Sequence, residues 1–372
     1  MEITAQEILA GLREWVEIES QTADVDGVNR MMTKCASEFE AAGATVERIP
    51  GTDSRGDHLR ITSAWGGDGP GILVLCHLDT VHPKGTLAKD LPFRVEGDKA
   101  YGPGIYDMKG GAYLALCAYR AIAAGPTPNG LPVRFLYVSD EETGSRTSRR
   151  LIEQEAERAK YVLVTEPARD GGRVVTGRKG VGRYVISARG RPAHSGSKHQ
   201  EGLNAIAEVA RHAVTIDGWT DYKRGVTFNI GQIKGGTADN VVPEHCTATV
   251  DMRVLTVADA EEMDRRIKAL KPYNPAIQLT IEGGLNRPPF EKNSGIAALF
   301  AHAKAIAAEI GFELHDLSTG GGSDGNFTAH KVPTLDGLGV DGNGAHTLGE
   351  HLYISSLIPR MTLQKRLMET LA

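Results

Sequence analysis

The chain has 372 residues, more than a single hydrophobic core usually serves, so its length predicts two domains. Its composition, with 41% hydrophobic and 24% charged residues, is ordinary for a soluble globular enzyme. The formal net charge of -5 offers no electrostatic footprint for nucleic acid or for an anionic membrane surface. We therefore expect neither of these as a partner.

The N-terminal stretch and the cysteines indicate a cytoplasmic protein. Residues 1–20 are amphipathic and acidic, and they lack the basic start, apolar centre and small-residue cleavage site of a secretory signal. No run approaches the roughly 18 apolar residues that a membrane helix needs. The cysteines, at positions 35, 76, 117 and 246, form no C-x-x-C pair and are typical of small buried residues in a reducing compartment.

Strands and helices alternate along the first half of the chain, which favours an α/β sheet with helices on both faces. The hydrophobic periodicity predicts helices over 4–19, 27–42, 110–124 and about 145–159. It predicts strands over 45–49, 54–62, 71–76, 133–138 and 161–164.

From about residue 172 the pattern changes to strands separated by two helices. Strands are predicted over 174–175, 181–188, 226–234 and 246–254, and helices over 202–212 and 258–270. After about residue 283 we expect a helix over 296–310, a strand over 332–335 and a C-terminal helix from about 354. The sequence thus predicts a catalytic domain with a doubly wound mixed sheet, residues 1–175 and 285–372. A smaller α+β domain with an antiparallel sheet, residues 176–284, interrupts it.

A histidine and an aspartate follow the apolar strand over 71–76. His77 is expected at the carboxyl end of this strand, where open α/β sheets carry their chemistry. A neutral imidazole is a good zinc ligand, and Asp79 could hold its second nitrogen. The same pattern is also typical of a hydrogen-bonded structural histidine, so it does not decide by itself.

Further acidic residues follow or border predicted strands. Asp107, in the segment G-P-G-I-Y-D-M-K-G-G, opens a predicted helix, either as a ligand or as a helix N-cap. Glu141 and Glu142 follow a buried strand, and adjacent carboxylates on an extended backbone point in different directions. One of them could bind a metal while the other faces a metal-bound water. Glu166 follows the next strand, and His346 follows the last strand of the sheet.

In this order, the motifs resemble those of the co-catalytic di-zinc aminoacylase/carboxypeptidase family, most closely its glutamate carboxypeptidase (carboxypeptidase G) branch. The likeness covers essentially the whole chain. It implies a zinc-binding catalytic domain with an inserted lid through which these enzymes usually dimerise. It also implies two zinc ions per subunit, bridged by Asp107, with His77 and Glu166 completing one site and Glu142 and His346 the other. Such nitrogen and oxygen ligands suit zinc.

The resemblance also implies catalytic roles. Asp79 would orient His77, and Glu141 would be the general base that takes a proton from a water held by the metals. His194, in R-P-A-H-S-G, resembles the lid histidine expected to reach across the dimer and stabilise the oxyanion in the partner's site. With these groups present, no serine or cysteine nucleophile is needed.

Substrate-binding residues are implied in the same way. Asn240 and Arg253 look like the pair that grips the substrate's α-carboxylate, which a guanidinium can bind bidentately. Arg173 and Arg287 are counterparts of basic residues that glutamate-specific relatives present to the substrate side chain. The glycine run over 319–324 resembles a pocket-lining loop, with Gly321 and Gly322 at its centre. It is not a P-loop, since no Lys-Ser/Thr follows.

We therefore predict a zinc-dependent metallocarboxypeptidase or amidase that hydrolyses the amide bond to a free C-terminal amino acid, with glutamate the expected residue. Its substrate would be a small N-acyl amino acid or short peptide, and a homodimer would form through 176–284. The alternatives are an aminoacylase-like amidohydrolase of another N-acyl amino acid and a non-catalytic metal-binding relative. A dinucleotide-binding enzyme is disfavoured because no G-x-G-x-x-G follows the first strands.

Overall fold

The computed structural model describes residues 3–126 and 130–372, and the chain divides into two compact units. The first unit consists of Met1–Gly177, Lys292–Ser318 and Ser323–Ala372, and the second of Arg178–Glu291 and Thr319–Gly322. The second unit thus extends beyond residue 284, where the sequence placed the end of the insert. The assignment of domains at 1–175, 176–284 and 285–372 stays a prediction.

Strands and helices are numbered here in chain order. The strands are β1 (Thr45–Ile49), β2 (His58–Thr62), β3 (Gly71–His77), β4 (Arg94–Glu96), β5 (Lys99–Tyr101), β6 (Val133–Val138), β7 (Ala159–Val164), β8 (Val174–Arg178), β9 (Gly180–Arg189), β10 (Thr227–Gly235), β11 (His245–Val254), β12 (Gln278–Arg287), β13 (Asp316–Thr319), β14 (Thr334–Leu335), β15 (Gly342–Asn343) and β16 (His351–Tyr353). The helices are α1 (Ala5–Val16), α2 (Val25–Ala41), α3 (Thr86–Lys89), α4 (Gly110–Ala123), α5 (Arg149–Ala156), α6 (Ala205–Asp217), α7 (Val257–Lys268), α8 (Ser294–Ile310) and α9 (Leu357–Thr370).

A six-stranded mixed sheet in the order β1-β2-β6-β3-β7-β14 forms the centre of the first unit. The strands β6, β3, β7 and β14 run parallel to one another. At one edge β2 pairs antiparallel with β6, and β1 pairs antiparallel with β2. The predicted α/β fold with a mixed sheet is therefore confirmed.

Both faces of this sheet are buried, as the unbroken apolar sequence of β3 requires. Ile72 and Val74 point into a core that also contains Leu12 of α1 and Leu116 of α4. Leu73 belongs to a second core on the opposite face, together with residues of α5. Because successive side chains of a strand alternate between the two faces, one apolar run supplies both cores.

The parallel strands bring three predicted site segments to one edge of the sheet. In register, His77 at the end of β3 lies beside Val138 at the end of β6, and Val164 of β7 lies beside Leu75. Glu166 follows β7 by two residues. The carboxyl ends of adjacent parallel strands form the edge where open α/β sheets place their functional groups.

A small antiparallel sheet in the order β15-β16-β5-β4 also belongs to the first unit. The loop between β15 and β16 contains His346 and Glu350. His346 therefore follows a strand of this small sheet, whereas the sequence pattern had placed it after the last strand of the main sheet. A two-stranded sheet pairs β8 with β13.

The second unit contains a four-stranded antiparallel sheet in the order β10-β11-β9-β12. The helices α6 and α7 pack on it through apolar residues such as Val209 and Met263. The separate antiparallel sheet expected from the sequence is present. Strand β12 was missed because Gly283 and Gly284, both with positive φ, interrupt its apolar alternation.

Two elements of the first unit are shorter than the sequence predicted. The strand over 54–62 begins only at His58, since Asp53 and Ser54 have positive φ angles that belong to a turn. The helix over about 145–159 spans only Arg149–Ala156. Its expected first turn is replaced by a loop in which Ser145 has a φ of 53°.

The cysteines and the helices were both considered in the sequence as signs of where the protein resides. All four cysteines are free and buried, as the sequence suggested. Within residues 3–126 and 130–372, no helix combines the length and the apolar character needed to cross a membrane.

The close approach of α4 to the segment after β7 gives a testable prediction for stability. A Cβ on Gly111 would overlap the backbone oxygen of Thr165 and lie 2.9 Å from Cα of Gly339. Because backbone atoms cannot rotate away, we expect Gly111→Ala to lower the free energy of unfolding by about 1–3 kcal/mol, measured by urea denaturation. Gly125→Ala, whose Cβ meets nothing closer than 3.4 Å, is the control and should stay within about 0.5 kcal/mol. Equal midpoints for the two variants would contradict this packing.

Candidate metal centre

Four side chains of the first unit converge around the carboxylate of Asp107. Its Oδ1 lies 3.4 Å from Nε2 of His77, and its Oδ2 lies 3.4 Å from Nε2 of His346. Oε1 of Glu166 is 3.7 Å from Nε2 of His77, and Oε2 of Glu142 is 3.1 Å from Nε2 of His346. The result is two ligand groups that share Asp107, each with one possible ligand atom per residue within 4.8 Å of the others.

The loop that carries Asp107 is held by the buried carboxylate of Glu350. Oε1 of Glu350 accepts hydrogen bonds from the backbone N–H groups of Tyr106 and Asp107, each at 2.9 Å. Its Oε2 accepts from the N–H of Gly104 at 3.1 Å and lies 2.5 Å from Nε2 of His82. Asp107 itself has an extended backbone, and α4 begins only at Gly110. Asp107 is therefore not the helix N-cap that one reading of the sequence allowed.

The carboxylate of Asp79 ties together the segments that follow β3 and β6. It accepts hydrogen bonds from the backbone N–H groups of Glu141 and Glu142, both at 3.2 Å, and from the hydroxyl of Thr22 at 2.7 Å. Nδ1 of His77 lies 2.9 Å from the backbone oxygen of Asp79 and 3.5 Å from its Oδ1. The backbone contact is the closer one, and a proton on Nδ1 leaves Nε2 facing the ligand groups.

The donor atoms of this cluster fit a pair of divalent cations. Nε2 of His77 and Oε1 of Glu142 are buried and lack a hydrogen-bond partner among the described residues. A buried polar atom without a partner costs about 1–3 kcal/mol, so such atoms call for an explanation such as an ion. Imidazole nitrogens combined with carboxylate oxygens are ligands that zinc accepts.

The electrostatics show how strongly these groups interact. Burial opposes protonation of His77, but the carboxylates of Asp107 and Asp79 outweigh it and raise the pKa of His77 well above its usual value. The side chains of Asp107 and Glu142 raise the pKa of His346 to about 11. Burial would raise the pKa of Asp107, yet the two histidines hold it below its usual range. Metal binding must therefore compete with protons at both histidines.

Burial also raises the pKa of Glu142, and the charge of Asp107 adds to this effect although His346 opposes it. The charge of Glu141 also contributes to the raised pKa of His77. The neighbours Glu141 and Glu142 thus both act on the cluster, whereas only Glu142 belongs to a ligand group.

Arg169 lies at the edge of the cluster and was not among the predicted site residues. Its Nη2 is 3.8 Å from Oε2 of Glu166, and its charge is one of the influences that lower the pKa of Asp107. The sequence feature that could have identified Arg169 is its position three residues after Glu166, in E-P-A-R. The predicted Arg173 is exposed and hydrogen-bonds to Arg169 through the backbone.

The remaining predicted residues lie in the second unit. His194 and Asn240 are neighbours there, since the N–H of Ser195 donates to the backbone oxygen of Asn240 at 3.0 Å. Nδ1 of the exposed His194 accepts hydrogen bonds from the N–H groups of Gly196 at 3.1 Å and Ser197 at 3.3 Å. In the neutral imidazole the proton therefore resides on Nε2, which makes Nε2 a donor.

Arg253 and Arg287 lie apart from the His194 loop in the second unit. The guanidinium of Arg253 makes a two-pronged ion pair with Asp251, with Nε 2.6 Å from Oδ1 and Nη2 3.1 Å from Oδ2. Arg287 is buried against the glycine loop, since a Cβ on Gly322 would lie 2.8 Å from its Cδ. The backbone oxygen of Gly321 accepts a hydrogen bond from Nη1 of Arg178 at 3.2 Å.

Comparison with known proteins shows the family to which this chain belongs. Residues 73–370 match the model of peptidase family M20/M25/M40. The chain is 32% identical over 370 residues to carboxypeptidase G2 of Pseudomonas sp., with 97% of this chain and 88% of the relative covered. It is 27% identical over 362 residues to a succinyl-diaminopimelate desuccinylase of Delftia acidovorans, with 90% and 91% covered. Among solved structures, an aminopeptidase PepT of Bacillus cereus superposes with a TM-score of 0.77 at 22% identity, covering 99% and 98% of the two chains.

The shared position of Asp107 predicts the effect of its removal on metal content. We expect Asp107→Ala to lose zinc from both ligand groups, because each group then keeps only two of its three side chains. Metal content after dialysis, measured by mass spectrometry, should fall well below that of the unmodified protein.

A thermal measurement and a control complete this test. Chelation should lower the melting temperature of the unmodified protein, since an ion bound only to the folded state stabilises it. It should leave that of Asp107→Ala unchanged. Asp217→Ala, at the exposed end of α6, is the control and should bind metal normally. Full zinc content in Asp107→Ala would show that this carboxylate is not a shared ligand.

Proposed function

The chain belongs to peptidase family M20/M25/M40 and is a metallopeptidase or amidohydrolase of that family, and from this premise we propose that it uses two zinc ions to release a C-terminal glutamate from an N-acyl or peptidyl substrate. The observation that carries the proposal is Asp107, whose two carboxylate oxygens each lie 3.4 Å from a different histidine. One carboxylate that faces two separate sets of nitrogen and oxygen donors is the arrangement expected of a two-metal hydrolase.

His77, Asp107 and Glu166 would hold one ion, and Asp107, Glu142 and His346 the other. When bound, the two ions polarise the scissile carbonyl and lower the pKa of water. The protein's own contribution is to hold the backbone at Asp107 and Glu142 by hydrogen bonds to buried carboxylates, so that little reorganisation accompanies the reaction.

Glu141 is the general base of the proposed reaction. Its backbone N–H is fixed by Asp79, and its charge acts on His77, which supports a carboxylate at the edge of the cluster. It takes a proton from the water that attacks the carbonyl carbon, and the carbon–nitrogen bond then breaks. The proton passes to the leaving amine nitrogen. The products are a free carboxylate and a free amino acid.

The substrate-binding part of the proposal rests on side chains that can bind a carboxylate or an oxyanion. Asn240 and Arg253 bind the α-carboxylate of the leaving amino acid, and the planar guanidinium that already pairs with Asp251 suits a second carboxylate. His194 stabilises the oxyanion, supported by its exposed Nε2, which is a donor because Nδ1 accepts two backbone N–H groups. Arg173 is the proposed partner of the glutamate side chain.

Arg287 is the second proposed partner of the side chain, with Gly321 and Gly322 lining the pocket. The close packing of Gly322 on Arg287 supports placing these residues together. A homodimer through 176–284 and a cytoplasmic location complete the proposal.

A second candidate is the hydrolysis of another N-acyl amino acid. The similarity to a succinyl-diaminopimelate desuccinylase, which covers 90% of this chain, favours this reading. The two candidates share the chemistry of the metal centre and differ in the groups on either side of the amide. The reading as a non-catalytic metal-binding relative finds no support in a chain that belongs to a family of hydrolases.

Replacement of the general base should separate catalysis from metal binding. We expect Glu141→Ala to lower kcat for an N-acyl-glutamate by at least about two orders of magnitude, the usual cost of losing a general base. Its zinc content should stay at the level of the unmodified protein. The matched control is Glu142→Ala at the next position, which should lose zinc as well as activity because Glu142 belongs to a ligand group. Normal turnover of Glu141→Ala would exclude the assigned role.

A panel of substrates tests which amino acid is released. With zinc restored after chelation, we expect N-acyl-Glu to be hydrolysed with a higher kcat/KM than N-acyl-Ala, N-acyl-Leu or N-acyl-Asp. Arg253→Ala should raise KM about ten- to a hundredfold for substrates with a free α-carboxylate, the range expected for a lost charged hydrogen bond. For the corresponding α-amides, the same substitution should not raise KM further. Equal rates of the unmodified enzyme on free and amidated substrates would argue against recognition of the α-carboxylate.

A further inference from the structure

We propose that Arg169 binds a second carboxylate of the substrate beside the metal centre, so that the enzyme selects N-acyl amino acids that carry two negative charges. This inference deepens the proposed function and rests on it. The second carboxylate can belong to the side chain of the leaving amino acid or to the acyl group, and the experiment below distinguishes these two sources.

Arg169 combines closeness to the cluster with unused hydrogen-bonding capacity. Its nearest carboxylate is Glu166, with Nη2 3.8 Å from Oε2, which is beyond hydrogen-bond distance. Its Nε is buried and finds no hydrogen-bond partner in the described part of the chain. A guanidinium has five N–H donors in a planar fork that matches a carboxylate. With a side chain that is 28% exposed, the group can meet a ligand from solvent.

The backbone around Arg169 forms a tight hairpin. The N–H of Arg169 donates to the oxygen of Arg173 at 2.9 Å, and the N–H of Arg173 donates back at 2.8 Å. Between them, residues 170–172 all have positive φ angles. Residues that exchange both hydrogen bonds stand directly opposite each other, and their side chains lie on the same face. Two arginines thus share one face of the hairpin.

Like charges directly opposite each other destabilise a strand pair. Glu166 is the only carboxylate within 4.0 Å of Arg169 among residues 3–126 and 130–372, and in the same range none lies so close to Arg173. An anion on this face would relieve the repulsion between the two guanidinium groups. The pair is therefore arranged for a negatively charged ligand.

The hairpin is anchored on both sides, so the backbone that carries Arg169 is held in place before a ligand arrives. The hydroxyl of Tyr106, next to the shared ligand Asp107, donates to the backbone oxygen of Ala168. The buried Arg360 donates from Nη2 to the backbone oxygen of Gly172 at 2.8 Å. A charged group held on a rigid element binds its partner with less loss of entropy, which is how specificity sites are built.

The competing explanation is that Arg169 serves only as a counter-ion of Glu166. In that case its loss would disturb the metal centre and lower activity on every substrate alike. A recognition role instead changes substrates with two carboxylates more than those with one, and the change falls mainly on KM. The two roles therefore differ in their substrate dependence.

The experiment compares three substrates on the zinc-loaded enzyme and on Arg169→Gln. N-acetyl-Glu carries its second carboxylate on the leaving amino acid, N-succinyl-Leu carries it on the acyl group, and N-acetyl-Leu has none. We expect kcat/KM to fall about ten- to a hundredfold for one of the first two, mainly through KM, and less than about threefold for N-acetyl-Leu. The substrate that loses most identifies the source of the carboxylate. Arg169→Lys should recover part of the loss. Arg55→Gln is the control, at an arginine of the first unit that donates to the backbone oxygen of Ser54.

Binding without turnover gives an independent measurement. By calorimetry, zinc-loaded Arg169→Gln should bind glutarate about tenfold more weakly than the unmodified protein does, while both bind butyrate alike. Equal losses on all three substrates, or unchanged glutarate binding, would overturn the assignment of Arg169. If the unmodified zinc-loaded enzyme hydrolyses none of the three, the proposed function fails, and the glutarate measurement still decides the role of Arg169.

Discussion

The candidate metal centre depends on how the negative charge of one buried carboxylate, that of Asp107, is balanced. A buried charge without partners is expensive, so Asp107 is stable only where positive groups face both of its oxygens. His77 and His346 supply them here, 3.4 Å away on either side. Two cations bound at the same places would serve the same purpose. The requirement for charge balance therefore explains both the convergence of ligands and the strength of their coupling.

The sheet makes this convergence possible for residues that are far apart in sequence. Adjacent parallel strands must end at one edge, so β6, β3 and β7 deliver their following segments together. Asp79 then joins two of these segments by accepting the N–H groups of Glu141 and Glu142. Glu350 joins the loop of Asp107 to the strand region after His346. These buried carboxylates thus fix backbone segments by accepting their N–H groups, and the fixed backbone in turn positions the ligand side chains.

The sequence predicted the parts that depend on local pattern. The apolar run of β3 and the acidic pair after β6 could be recognised because each feature lies within a few residues. The role of Glu350 could not be predicted in this way. Glu350 acts on backbone groups 243 residues away, at Asp107, and no side-chain pattern records such a contact. Arg169 depends on a hairpin whose cross-strand register only the folded chain defines. Strand β12 was hidden by Gly283 and Gly284, where packing in the sheet overrides local preference.

The balance of charge also couples metal and substrate. Without metal, the carboxylates of the cluster and its surroundings, which include Glu141 and Asp79, outnumber the two histidines. The site is therefore acidic even when both histidines are protonated. An anionic substrate is repelled by such a site, because like charges in a partly buried region are weakly screened. Two divalent cations would offset four of these five carboxylate charges, and the guanidinium of Arg169 would offset the fifth. Metal loading thus prepares the site electrostatically for a carboxylate ligand as well as chemically for hydrolysis.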